Sequence, residues 1–143
     1  MILVCVSHLA NAQDFLNLRD DALDFSSRSG GSAAVSCTYM SVDQHGDSLL
    51  LSGKVFIPKG GIARGIILLP HYTVAANSEV PSACKPIEAR LADKGYVLVM
   101  PDYQGYGISS VKDGRAQLHP YLDASLAARQ TVDMFLVARS FLE

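Results

Sequence analysis

Charge is scarce in this chain and nowhere concentrated. Charged residues make up 18% of its 143 positions, the net charge is -2, and no Lys/Arg cluster occurs. That leaves no electrostatic footprint for nucleic acid or for an anionic membrane. No apolar run approaches the length that spans a bilayer. The three cysteines, Cys5, Cys37 and Cys84, are odd in number and scattered. They fit neither a zinc spacing nor a disulfide framework and read as small apolar residues in or near a core. His8, His45, His71 and His119 stand far apart, none with a Cys, His, Asp or Glu at ligand spacing, so no metal site is predicted. G-x-x-x-x-G-K-[ST] is absent. In "GYGISS" the glycines Gly105 and Gly107 begin a dinucleotide fingerprint, but Ser110 holds the third glycine's place and no helix opens at once. A phosphate-binding role and a cofactor are discounted on these grounds.

What is present suits one domain. A length of 143 residues and 49% hydrophobic content allow a real core and are too few for two. The first residues, "MILVCVSHLANAQ", combine a short apolar run (Ile2 to Val6) with the small-x-small pattern Ala10-Asn11-Ala12 ahead of Gln13. This reads either as a signal peptide without its basic front end, which implies export, or as an ordinary apolar stretch, which leaves a cytoplasmic location open. Residues 1–34 are taken as this leader plus the flexible linker "SSRSGGSAA", and residues 35–143 as the folded domain.

Within that domain, "VSCTYMSVD" and "SLLLSGKVFIP" flank Gln44-His45-Gly46-Asp47 and predict an antiparallel hairpin, with His45 solvated in the turn. "IILLP" (Ile66 to Pro70) is apolar at every residue, which predicts a parallel strand covered on both faces. "KPIEARLADKG" predicts a helix from Lys85 to Lys94, started by Pro86, stopped at Gly95, with Ile87 and Leu91 sharing a face. "YVLVMP" is a second buried strand. From about Pro120 a long helix is predicted, with Ala124, Ala127, Ala128, Thr131, Phe135, Ala138 and Leu142 as its buried stripe. Hairpin, strand, helix, strand, helix is an α/β order with parallel strands, and in such sheets ligands sit beyond the strands' carboxyl ends. The loops after Pro70 and after Pro101 both fall there.

Those two loops carry a resemblance. "GIILLPHYT", then a loop and helix, then "GYVLVMPDYQGYGIS" resembles the α/β-hydrolase family, in particular secreted lipases and esterases and peptidase-like members, over residues 35–143. The resemblance implies the N-terminal half of a hydrolase sheet, with His71, Tyr72 and Thr73 as the oxyanion-hole loop. Tyr72 or Thr73 would supply an amide and His71 would brace the loop; Tyr72 stands where the family has Gly. "DYQGYG" matches the family's D-x-x-G-x-G segment. By that match Asp102 would fix a turn through side-chain-to-backbone bonds, Tyr103 could line the pocket, and Gly105 and Gly107 would supply unusual backbone angles.

The family's nucleophile motif, G-x-S-x-G, is missing. Ser32 and Ser109 lie in the nearest approximations, and both lack the final glycine. No catalytic residue is therefore assigned in this chain, the nucleophile is expected beyond Glu143, and the chain alone is predicted to be inactive and prone to self-association. Two classes follow: the N-terminal portion of a serine hydrolase whose full-length relative takes a small-molecule or lipid ester or a peptide, or a non-catalytic α/β binding module or inactive remnant.

Overall fold

The computed structural model describes residues 32–59 and 63–142; the leader reading for residues 1–12 and the chain up to residue 31 lie outside the described residues. Strands β1 (Ser32–Val42) and β2 (Ser48–Pro58) form the predicted antiparallel hairpin, with Tyr39 opposite Leu51 and Val35 opposite Val55. β1 takes in residues 32–34, which the sequence pattern assigns to the linker. Asp43 closes the turn: its Oδ1 accepts the His45 N–H at 2.8 Å and the Asp47 N–H at 3.0 Å. Gly46 supplies the positive φ of 87° that lets the chain reverse.

Strand β3 (Gly65–Leu68) runs parallel to β4 (Tyr96–Pro101), with Ile66 opposite Val97 and Leu68 opposite Val99. β4 also pairs antiparallel with β2, so the sheet order is β1-β2-β4-β3. A two-stranded ribbon, β5 (Val111–Lys112) and β6 (Arg115–Ala116), follows, and then α1 (Ala124–Leu142). The fold is thus α/β, and the hairpin and the parallel neighbours stand where their residue patterns put them.

Two apolar layers hold it. On one face Tyr39, Leu51, Val55, Val97 and Val99 pack against Met134 and Ala138 of α1. On the other, Phe56, Leu98 and Met100 pack against Ala89 and Ala92. Each fully buried large side chain is worth roughly 1.5–3 kcal/mol, so these layers supply most of the drive to fold.

Three expectations need correcting. The crossover helix spans Ile87–Lys94 and has 3₁₀ geometry. Three residues per turn align Ala89 with Ala92, which are buried, and turn Ile87 outward at 68% exposure, where an α-helix would have paired Ile87 with Leu91. Gly95 ends it in the left-handed region at φ 94°.

The last helix begins at Ala124, because Asp123 caps it: its Oδ1 accepts the Leu126 N–H at 2.9 Å. Its buried side is Leu126, Gln130, Thr131, Met134 and Ala138. Of the expected stripe only Thr131 and Ala138 are buried, Ala127 and Phe135 are half-buried, Ala124 and Ala128 are exposed, and the side chain of Leu142 lies outside the described residues. Met134 sits deep because β2 offers a glycine there: a Cβ on Gly53 would stand 2.6 Å from Met134 Sδ.

β3, finally, is covered on one face only. Ile67 and Leu69 pack on the Phe56 layer, while Ile66 and Leu68 are 41% and 36% exposed at the open edge of the sheet.

Candidate functional site

β3 and β4 are parallel, so the chain leaves both at the same end of the sheet, and the loops after them meet. The His71 ring links them: Nε2 lies 3.0 Å from the Asp102 carbonyl oxygen and Nδ1 lies 2.6 Å from the Tyr72 carbonyl oxygen. Both facing atoms are acceptors, and a neutral ring donates to only one of them at a time. The ring also lies tilted against Tyr103 and edge-on to Tyr106, with centroids at 5.0 and 5.5 Å.

Asp102 is wholly buried, and its groups tie several segments together. Oδ2 accepts the Ser52 hydroxyl of β2 at 2.5 Å, and Oδ1 accepts the Ser82 N–H at 2.9 Å. The Asp102 N–H donates to the Ser52 carbonyl at 2.9 Å, and Ser52 Oγ in turn accepts the Ile108 N–H at 3.1 Å. A carboxylate surrounded by donors in this way is a structural pin, since both its oxygens are spent on holding neighbours.

The turn that follows is conformationally demanding. Tyr103 has φ 70°, a left-handed value that costs a non-glycine residue on the order of 1 kcal/mol. Its hydroxyl is anchored to Thr131 Oγ1 of α1 at 3.0 Å, and its ring is buried. Burial pushes the Tyr103 phenol above its ordinary pKa. Gly105 (φ 85°) passes so close to residues 118–119 that a Cβ would stand 2.5 Å from the His119 backbone nitrogen. Gly107 (φ 57°) lies directly over the Ser52–Asp102 pair, and its N–H donates to Asn77 Oδ1 at 2.6 Å.

Three residues to which the sequence pattern gave no place here, Tyr106, His119 and Tyr121, complete this edge. His119 directs Nδ1 at the Gln104 carbonyl oxygen at 2.8 Å and lies edge-on to Tyr121, with centroids 4.7 Å apart. Tyr106 donates its hydroxyl to the Val74 carbonyl at 3.0 Å, so the 2.5 Å bond between the Tyr106 and Tyr121 hydroxyls has Tyr121 as donor. Burial, then the Tyr121 hydroxyl, push the Tyr106 phenol up to about 12. His119 and Tyr121 come late in the chain and sit in no recognisable spacing with Gly105; only the folded backbone brings them together. Gln130 is equally hidden in the sequence: buried on α1, it accepts the Gln104 N–H at 3.1 Å and donates to the Val42 carbonyl at 2.9 Å.

The backbone amides of Tyr72 and Thr73 have no hydrogen-bond acceptor among the described residues. Both residues are exposed, at the loop beside the Asp102 turn. An unspent pair of N–H donors at the carboxyl end of a parallel sheet is chemically suited to negative charge on an oxygen. Among the described residues no group of three or more His, Cys, Asp and Glu side chains could hold a metal ion. No described helix is long and apolar enough to cross a membrane.

Solved structures share this fold. A protein from Legionella pneumophila assigned as a hydrolase superposes with a TM-score of 0.64 at 26% identity, over 77% of this chain and 30% of that one. The rice cell wall degrading esterase LipA from Xanthomonas oryzae superposes with a TM-score of 0.65 at 29% identity, over 78% of this chain and 30% of its own. Its N228W mutant gives 0.64 at 30% identity with the same coverage. The fold is a partial α/β-hydrolase fold. No family model and no curated protein matches the sequence. This partial hydrolase fold spans about 30% of the length of the solved chains it matches, and the esterase description belongs to LipA.

Proposed function

We propose that this chain is the N-terminal portion of a serine hydrolase acting on carboxylic esters, and that residues 71–73 form its oxyanion loop. The observation that carries the reading is the pair of unspent amides at Tyr72 and Thr73, beside a turn held rigid by Asp102. The esterase and hydrolase neighbours support the ester class. In acyl transfer a nucleophile adds to the substrate carbonyl, and the carbonyl oxygen gathers the negative charge. Donors already in place lower that barrier without reorganising at the moment of reaction. His71 acts as the positioning residue, because its ring spans the carbonyls of Tyr72 and Asp102 and thereby fixes the loop relative to β4. Asp102, Gly105 and Gly107 serve as framing rather than as acid or base.

The nucleophile and its acid and base partners belong, in this reading, to sequence beyond Glu143. The test uses a longer form of the protein that contains G-x-S-x-G. His71→Ala should lower kcat by roughly one to three orders of magnitude, the range for damage to an oxyanion hole. Thr73→Pro, which deletes one of the two N–H donors, should act on kcat more than on KM. Residues 1–143 alone should leave a fluorophosphonate probe unreacted. Unchanged turnover in His71→Ala, or stoichiometric labelling of residues 1–143, would refute the assignment.

A further inference from the structure

His71 braces the loop of Tyr72 and Thr73 at its start, and a different set of groups holds its far end. Val74 is buried, and its carbonyl accepts the Tyr106 hydroxyl at 3.0 Å. The next amide, the Ala75 N–H, donates to Glu79 Oε2 at 2.9 Å. In a trans peptide the C=O and the following N–H lie in one plane and point in opposite directions. Tyr106 and Glu79 therefore grip the Val74–Ala75 peptide from its two sides. The same geometry governs the start of the loop. There the Tyr72 carbonyl faces His71 Nδ1 at 2.6 Å, which sends the Thr73 N–H the other way. Thr73 thus stands between two fixed peptide planes.

Tyr106 is itself tied to the turn after β4. Its N–H donates to the Tyr103 carbonyl at 3.2 Å, and its ring meets those of His71 and His119, with centroids at 5.5 and 5.2 Å. A hydroxyl has one proton to give. Because the Tyr121 hydroxyl donates to Tyr106 at 2.5 Å, the Tyr106 proton is committed to Val74. Donors fixed in advance need no reorganisation as charge develops on an oxygen. A loop whose Val74 carbonyl turned to water would have to be ordered again at that moment, and the loss would fall on kcat.

We infer that Tyr106 is a second positioning residue for the proposed oxyanion loop, holding the Val74–Ala75 peptide against Glu79 while Tyr121 directs its proton. The inference rests on the hydrolase reading, since the clamp serves catalysis only where the loop's amides meet a substrate oxygen.

Two measurements test it. In isotope-labelled residues 1–143, Tyr106→Phe keeps the ring and removes the hydroxyl. The amide resonances of Thr73 and Ala75 should shift, while those of Leu51 and Val55 in the sheet stay in place. In a longer form that contains G-x-S-x-G, Tyr106→Phe should lower kcat roughly two- to tenfold, the worth of one net hydrogen bond, with KM unchanged. Tyr121→Phe should cost less, and adding it to Tyr106→Phe should cost nothing more, since Tyr121 acts through Tyr106. Unmoved Thr73 and Ala75 amides would overturn the inference, as would full kcat in Tyr106→Phe where His71→Ala is impaired. Additive losses in the double variant would overturn the part given to Tyr121. Full kcat in both Tyr106→Phe and His71→Ala would instead overturn the hydrolase reading, and the inference with it.

Discussion

Gly107→Ala is the sharpest test of how the turn after β4 is held. A Cβ at this position would overlap Ser52 Oγ and Asp102 Oδ2 and stand 3.1 Å from Asp102 Cγ. Neither partner has room to retreat: Asp102 is 0% exposed and Ser52 4%. Relieving the overlap means separating the Ser52 hydroxyl from the Asp102 carboxylate, a charge-assisted bond worth about 1.5–3 kcal/mol. It also loosens the Ile108 N–H from Ser52 Oγ, worth about 0.5–1.5 kcal/mol. The positive φ of 57° adds on the order of 1 kcal/mol for any residue with a Cβ. The sum is about 3–5 kcal/mol, a large share of a small domain's net stability.

Gly46→Ala is the matched control, because Gly46 has φ 87° and nothing within 4 Å of an added Cβ, so that only the conformational term of about 1 kcal/mol applies. Urea unfolding followed by far-UV circular dichroism, at a protein concentration that leaves the midpoint unchanged, compares the two. With a slope of about 1–3 kcal/mol per molar urea, the Gly107 variant should lose roughly 1–5 M of midpoint and the Gly46 variant, at the same slope, roughly 0.3–1 M. In a Ser52→Ala background, where the nearest overlapping atom is gone, Gly107→Ala should be markedly less damaging; that non-additivity is the signature of direct contact. Similar midpoint losses at Gly46 and Gly107 would refute the argument that the Asp102 cradle holds this turn.

Three further outcomes are expected. Leu69 donates to the Val99 carbonyl, so the alternate residues Ile66 and Leu68 turn their backbone groups to the open edge of β3, and with exposed aliphatic side chains there the chain should self-associate. Sedimentation should show species above monomer that Leu68→Lys reduces; a monodisperse monomer would contradict this. Burial raises the Cys37 thiol to about 12 from 9.0, so the folded chain keeps a proton that the unfolded chain gives up, and stability should fall as pH climbs from about 9 toward 12. Cys37→Ala should flatten that decline in urea midpoints measured against pH. Gln130→Leu strands the Gln104 N–H and the Val42 carbonyl in the interior, at roughly 1–3 kcal/mol for each group left unsatisfied. Its urea midpoint should fall accordingly.

The apolar code was legible and the polar code was not. Uninterrupted runs and alternation located β2, β3 and β4, the hairpin and the parallel pair β3–β4, because burial of side chains is a local property of sequence with a fixed period, while the antiparallel pairing of β2 with β4 left no such mark. Periodicity misjudged the two helices for separate reasons. At Ile87–Lys94 the period itself changed, from an α-helical repeat to one of three. On α1 the buried face includes Gln130, which the apolar stripe leaves out and which is bonded in the fold to Gln104 and Val42.

The candidate site divides the same way. "PHYT" and "PDYQGYG" could be placed at one edge from strand order alone. The groups that make that edge rigid, Ser52, Ser82, His119 and Gln130, come from segments far apart in the chain. Each is joined to the site by a few hydrogen bonds or ring contacts, and such contacts leave no period and no composition to detect. The resemblance gives Asp102 a turn-fixing role, and the fold surrounds its carboxylate with donors from other segments. What decides its role is the set of donors around it, and those are chosen by topology: β2 must run beside β4 before Ser52 can reach Oδ2. A carboxylate whose two oxygens are both committed in this way holds β2 and the segment at Ser82 to the end of β4, and it does so wholly out of contact with solvent.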